Sequence, residues 1–290
     1  MSGLFKAYQL AEFKRRHKLG CLRKELQLSM QDKHKNMWWC MDTALQEMRA
    51  QFVESTNHCV IDDFLGPDAF AKVLADVIQA KSEGMLDVDG LLSFKGREET
   101  IRTDRLGWFD CSETPTGAGG VECHFTQSQG DGTGDEAKSG PASAYVDPAQ
   151  SKSGPKWTHL QYLLQRIETL VSELGDVDTA TSSSAENRAA NSEIGDMLAS
   201  CKTRSKVMVT CYDGKEDDSS KYTRHVDNGN RNGRRVTAIY YLNEGWKQSH
   251  GGVLRLYANA DASEKSESRG LLAPHKVSGR TGSALDIDSQ

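Results

Sequence analysis

The sequence predicts an α+β protein: a double-stranded β-helix (jelly roll) with supporting helices on one face. Three observations carry that expectation. Residues 206–212, 236–242 and 251–257 read as short strands. The first sets Val207, Val209 and Cys211 on one side, the second is β-branched and aromatic, and the third alternates. The segments 213–220 and 228–233 between them are turn-rich. His225-Val226-Asp227 lies between the first two strands. On a strand, side chains i and i+2 leave the same face, so an imidazole and a carboxylate converge there. Short strands separated by turns suggest a sandwich or barrel, and such a pair at a strand mouth suits a jelly roll.

The bulk properties bound the function. With 290 residues the chain can bury a sizeable core and carry a catalytic domain plus extensions. A net charge of −5 argues against nucleic acid as a partner. No apolar run is long enough for a membrane span, and the N-terminus lacks the apolar centre of a signal peptide. The 7 cysteines include no C-x-x-C spacing, which fits reduced thiols in the cytoplasm or nucleus better than a disulfide framework or zinc finger.

Taken in order, residues 1–34 are basic, densest at Lys14-Arg-Arg-His-Lys18. This is either a localisation or acidic-partner patch, or a solvated helix face or frayed tail. Trp38, Met41, Leu45, Met48 and Phe52 recur at helical spacing and predict a helix over 37–52. Residues 58–65 read as a strand ending at Gly66-Pro67. Asp68 is then the expected N-cap of a helix whose buried face is Phe70, Val73, Leu74, Val77 and Ile78 and whose end is Gly84. Asp62 and Asp63 point to opposite faces of a strand and cannot share a proton, so they are expected to be exposed or capping. Arg102-Thr-Asp-Arg105 leads into Trp108-Phe109, which by its own residues reads as a structural strand with a buried Trp.

Residues 112–156 are rich in Gly, Ser, Thr, Gln and Asp and show no period. They are too polar to repay their own ordering and are expected to be a disordered insert. Cys123-His124 within it lacks a second pair and makes a poor metal site. Leu160, Leu163, Leu164, Ile167, Leu170, Val171 and Leu174 form one stripe and predict a helix over 157–174, capped by Gly175. A polar linker to about Asn191 and a short helical piece at Ile194, Met197 and Leu198 follow.

Alone, His-x-Asp is a weak signal, since most such pairs are surface polar residues. Its setting is more specific. The ordered set Cys211-Tyr212, Tyr222-x-Arg224-His225-Val226-Asp227-Asn228, Gly233-Arg234-x-Val236-Thr237-x-Ile239-Tyr240-Tyr241-Leu242-Asn243, Trp246 and Gly251-Gly252-x-Leu254-Arg255 resembles the hypoxia-inducible-factor prolyl hydroxylases of the EGL-nine type. Residues 59–66 and Ile101-Arg102-x-Asp104-Arg105-x-x-Trp108 fit the same family, so the resemblance spans roughly 55–110 and 157–257, and for the segment leading into Trp108-Phe109 it implies a substrate-facing role beside the structural one.

That resemblance implies a dioxygenase with Fe(II), 2-oxoglutarate as cosubstrate and ascorbate as reductant. Its partner would be a proline-containing segment of a hypoxia-inducible transcription factor. His225 and Asp227 match two ligands of the 2-His-1-carboxylate triad, which leaves positions open on iron. Tyr241 matches a tyrosine that holds the distal carboxylate of 2-oxoglutarate, and Tyr212 matches another pocket tyrosine.

Beyond Tyr257 the match stops. His250 sits in a turn and reads as solvated. His275, in Pro274-His275-Lys276-Val277, resembles the family's distal ligand motif but lies closer to Asp227 than in the family. The family's Arg for the distal carboxylate is bidentate, a role for which Lys is a poor substitute; Arg280 is off register for it. The last jelly-roll strands are therefore expected to be missing, as in a truncated or alternatively spliced product. The expected organisation is a basic helical extension over 1–54, the dioxygenase-like domain over 55–257, and a divergent polar tail over 258–290. An active prolyl hydroxylase and a catalytically impaired binding or regulatory protein both remain open.

Overall fold

The computed structural model describes residues 3–54, 58–86, 104–111, 124–126, 156–177, 185–202, 206–212, 214–215, 218–219, 233–247, 250, 254 and 282–287. These carry helices and short antiparallel strands, an α+β composition. The chain forms two compact units. One comprises Met1–Leu74, Leu163–Thr203 and Arg224–Gln290; the other comprises Ala75–Tyr162 and Arg204–Thr223.

The first unit opens with α1 (Gly3–Ser29). Its arginines decide how it sits. Arg15 donates to Glu12 at 2.7 Å, Arg16 grips Asp62 through both carboxylate oxygens, and Arg23 reaches Asp62 O at 2.9 Å and Asp63 at 3.2 Å. With Leu19 buried beside them, the basic stretch is a docked helix and not a frayed tail. A 3-10 segment, Asp32–Cys40, follows and buries Trp38 and Trp39. Met41 is extended (φ −75°, ψ 137°) and largely exposed, so α2 begins only at Asp42 and runs to Glu54. Leu45, Met48 and Phe52 are buried as their spacing predicts. Trp38 is buried too, but from the 3-10 segment, because the helix expected over 37–52 is broken at Met41.

Strand β1 (His58–Asp62) is buried at four of its five positions. Asp63 then takes a left-handed φ of 60° and turns the chain, so the strand stops before 65. Neither Asp62 nor Asp63 is merely exposed or capping, since each accepts an arginine of α1. Gly66 has φ +77°, and a Cβ there would meet Asn36 Oδ1 at 2.6 Å. The next helix, α3 (Pro67–Ser82), starts with proline at its first position, where no N–H is needed. Gly66 O accepts from Phe70 N at 3.1 Å, which makes Gly66 the cap and leaves Asp68 in the first turn. Phe70 and Val73 are buried, whereas Ile78 is exposed against expectation.

The unit is completed by most of α4 (Thr158–Asp176), by α5 (Ala185–Ala199) and by two strands. Gly175 does not end α4. Its lack of a side chain matters because a Cβ would meet Ala199 N at 2.6 Å. The short helical piece expected near 194–198 is the end of the longer α5. Arg49, fully buried on α2, donates to Leu174 O at 2.5 Å and to Asn191 O, joining three helices. A hydrogen bond from a charged group is worth about 1.5–3 kcal/mol.

Two strands remain in this unit, and they carry the clearest departure from the sequence reading. In chain order after the elements of the second unit, these are β7 (Val236–Tyr240) and β8 (Gly282–Ile287). The sheet order is β1-β8-β7, antiparallel throughout. Register pairs Cys59 with Leu285 and Leu285 with Ala238. A segment assigned to a divergent polar tail is thus the central strand, and the strands at that end are not all missing. Residues 258–281 lie outside the described residues.

In the second unit, β2 (Arg105–Asp110) lies between β3 (His124–Thr126) and β4 (Lys206–Cys211). Gly107 is required by proximity: a Cβ there would meet Met85 O at 2.5 Å. The left-handed Gly84 ends α3 as expected, with Met85 N donating to Ala80 O. β3 falls inside the stretch expected to be disordered. Phe125 explains its order, with its ring 5.2 Å from Phe109 and 5.3 Å, edge-on, from Trp157. The rest of 112–155 lies outside the described residues. Asp76 accepts from His159 N and Leu160 N, both at 3.0 Å, satisfying first-turn donors of α4 from outside the helix. A two-residue hairpin, β5 (Gly214–Lys215) with β6 (Asp218–Ser219), occupies the turn-rich 213–220 segment. Cys111, directly after β2, is disulfide-bonded, which departs from the expectation that all thiols are reduced. No helix among the described residues is long and apolar enough to cross a membrane.

Candidate active site

Of the residues expected at the site, Tyr212 directly follows β4 and Tyr241 directly follows β7. Val207, Val209 and Cys211 share one side of β4, and their cross-strand partners on β2 are Phe109, Gly107 and Arg105. Val209 is buried and Met208, on the other side, is 40 % exposed. Lys81 Nζ lies 3.2 Å from Cys211 Sγ. Tyr212 follows directly and is 43 % exposed.

On β7, Tyr240 packs edge-on to Phe64 at 6.5 Å, and Phe64 in turn touches Trp39 at 4.7 Å. This aromatic chain fixes which way the strand faces. Strand alternation carried one residue further puts Thr237, Ile239 and Tyr241 on the other side. Tyr241 is half-buried. A tyrosine hydroxyl can donate one hydrogen bond to a carboxylate oxygen, the role the family resemblance gives to Tyr241.

His225, Asp227, His275 and Arg280 lie outside the described residues, as does 251–257 apart from Leu254. Among the described residues no group of three or more His, Cys, Asp and Glu could hold a metal. His250 is exposed in a turn, where its Nδ1 accepts from Lys247 N at 3.3 Å, in keeping with the solvated role expected for it.

One polar cluster was not anticipated. His58 Nε2 lies 3.2 Å from Glu12 Oε2, with both side chains nearly fully buried. Burial pushes the Glu12 carboxyl up, but the hydrogen bonds of His58 and Arg15 outweigh it and hold the group below its ordinary range. Gln51 joins the cluster, donating to Arg15 O at 3.1 Å and accepting from Cys59 Sγ at 3.6 Å. Burial drives the Cys59 thiol far up and the Cys40 thiol up to about 11, with Glu12 and Glu173 respectively adding to the effect. Neither is a nucleophile, since thiolate is the reactive form. In sequence Glu12 lies in the basic stretch and His58 follows a polar one, and their pairing needs tertiary contact between residues 46 apart.

Known proteins bear on the undescribed part. Residues 207–285 match the family model of the 2OG-Fe(II) oxygenase superfamily. That range includes Tyr212, His225, Asp227 and Tyr241. Prolyl hydroxylase EGLN3 of Rattus norvegicus is 54 % identical over 57 residues, which are 19 % of this chain and 23 % of the relative. The hypoxia-inducible factor prolyl hydroxylase of Caenorhabditis elegans is 46 % identical over 55 residues, 19 % of this chain and 7 % of the relative. A solved prolyl hydroxylase of Trichoplax adhaerens, in complex with a hypoxia-inducible factor oxygen degradation domain peptide fragment, is 22 % identical, with a TM-score of 0.49 over 85 % of this chain and 79 % of that one. The similarity expected from the motifs is therefore present, and the matched stretch spans less than a quarter of the curated relatives' length.

Proposed function

We propose that this chain carries an Fe(II)- and 2-oxoglutarate-dependent prolyl hydroxylase site, on a double-stranded β-helix, acting on a proline of a hypoxia-inducible-factor-type peptide. The observation that carries the reading is the oxygenase family match over 207–285, a range that contains His225-x-Asp227. An imidazole and a carboxylate two residues apart suit Fe(II), and that donor set leaves coordination positions open. His225 and Asp227 would hold the metal, which supplies oxygen activation, with 2-oxoglutarate as the electron donor and ascorbate as reductant. The protein's own part is positional. Tyr241 donates to a carboxylate oxygen of 2-oxoglutarate, and Tyr212 takes the part of the family's other pocket tyrosine. The 55–257 stretch is the catalytic domain in this reading.

The test is single: purified protein with Fe(II), ascorbate, 2-oxoglutarate and a proline-containing hypoxia-factor peptide. Mass spectrometry should find one added oxygen on the proline, and His225→Ala or Asp227→Ala should abolish both this product and specific iron uptake. Unchanged stoichiometric iron in both variants would sink the assignment. His275→Ala decides the third ligand: lost iron affinity makes it one, and unchanged affinity removes it.

A second reading, a protein that binds the peptide without turnover, is favoured by one observation. β8 reads Gly-Ser-Ala-Leu-Asp-Ile and contains no Arg, while Arg280 precedes it. A distal carboxylate without a bidentate Arg is held weakly. Peptide binding with no oxygenated product at saturating 2-oxoglutarate would select this reading.

A further inference from the structure

The outward side of α1 is used neither by the fold nor by the candidate site. The helix itself is fixed, because Arg15, Arg16 and Arg23 pair with Glu12, Asp62 and Asp63 on its inward side. What remains outward is apolar and cationic together. Leu10 is 54 %, Phe13 64 % and Leu28 85 % exposed. Between them, His17 stacks on Phe13 with centroids 5.9 Å apart and planes at 8°, and its Nε2 lies 3.7 Å from Cys21 Sγ. At 3.6 residues per turn these five side chains fall on one stripe. Lys14 and Lys18 flank it on one side and Lys24 on the other, all exposed. Lys18 keeps 68 % of its side chain exposed although it touches Glu47. The one exposed carboxylate of α1 is Glu25, in a chain whose net charge is −5. Beside the stripe a groove of about 490 Å³ opens between α1 and α2, with Cys21, Leu22 and Thr43 in its walls.

We propose that this face docks an acidic amphipathic helix of a partner protein. The partner's apolar side chains lie on Leu10, Phe13 and Leu28 and enter the groove, and its carboxylates meet Lys14, Lys18 and Lys24. Charge selects this occupant. A second copy of the chain would bring two lysine rows together, and like charges across an interface cost affinity. An anionic membrane is disfavoured by the spacing of the apolar residues. Leu10 and Leu28 are about 27 Å apart along the helix axis, with polar His17 and Cys21 between them, whereas an interfacial helix needs a continuous apolar face. A partner helix of about five turns spans the whole stripe.

The experiment uses the full chain and a fluorescent, five-turn peptide with Leu at i, i+3, i+4 and i+7 and Glu on the flanks. Controls are the same peptide with Lys for Glu and phosphatidylserine–phosphatidylcholine vesicles. The Glu peptide is expected to bind, more weakly as salt rises, and the Lys peptide is not. Phe13→Ala should weaken binding about tenfold, and Lys14→Glu with Lys24→Glu by a similar factor, with the melting temperature unmoved. No binding of the Glu peptide overturns the proposal. So does equal binding by parent and Phe13→Ala, equal binding of the Lys peptide, co-sedimentation with vesicles in preference to the peptide, or self-association abolished by Phe13→Ala.

Discussion

Glu12 and His58 show how a buried ionisable pair can tie a helix to a strand. Glu12 also takes Arg15, so two side chains share one carboxylate. Its pKa is depressed, so the stabilisation it contributes is present above its ordinary value of 4.5 and is lost as pH falls through the lower folded value. Glu12→Gln removes the charge and keeps the shape. It should cost about 2 kcal/mol at neutral pH, the scale of a hydrogen bond to a charged group. It should also flatten the acid limb of a plot of urea midpoint against pH; an unchanged acid limb would mean that Glu12 is not the group that titrates. Nothing in the sequence marked this pair, because local periodicity says which face of a helix is apolar and not which carboxylate will meet which imidazole.

At the scale of elements, a few side chains decide what is ordered. Phe125 sits in a stretch whose composition predicts disorder, yet its contacts with Phe109 and Trp157 hold β3 on the edge of β2. Phe125→Ala should cost about 3 kcal/mol and release β3, read as new proteolytic cleavage near 124–126. Composition averages over a window and cannot see one aromatic anchor. β8 was missed for a related reason. Ser283, Leu285 and Ile287 alternate with Gly282, Ala284 and Asp286, a period of two that was legible, but it lay amid polar residues. As β1 and β7 each pair with β8, Leu285→Pro should break both ladders at once. Amide exchange should then accelerate across His58–Asp62 and Val236–Tyr240 together; protection retained in either strand would refute the shared central strand. The long stripe of α4 and the Gly84 stop of α3 were readable because helix faces and glycine turns are local.

For the whole molecule, the oxygenase similarity was legible because an ordered set of motifs survives where single pairs do not. The two tyrosines lie one residue past β4 and β7, since the strands end at Cys211 and Tyr240 and not at the expected 212 and 242. The division of the chain was not legible, since each compact unit gathers segments far apart in sequence, and no composition shift announces such an assembly. That arrangement sets the timing of synthesis. β1 waits for a partner made more than two hundred residues later, which at typical translation rates is roughly 10–45 s. Throughout that interval the ribosome holds a nascent chain whose first strand has an unfilled slot. A chaperone or a neighbouring polypeptide on the same polysome could occupy it. Nascent chains arrested before Gly282 should therefore remain protease-sensitive at His58–Asp62, and release of the finished chain should protect them.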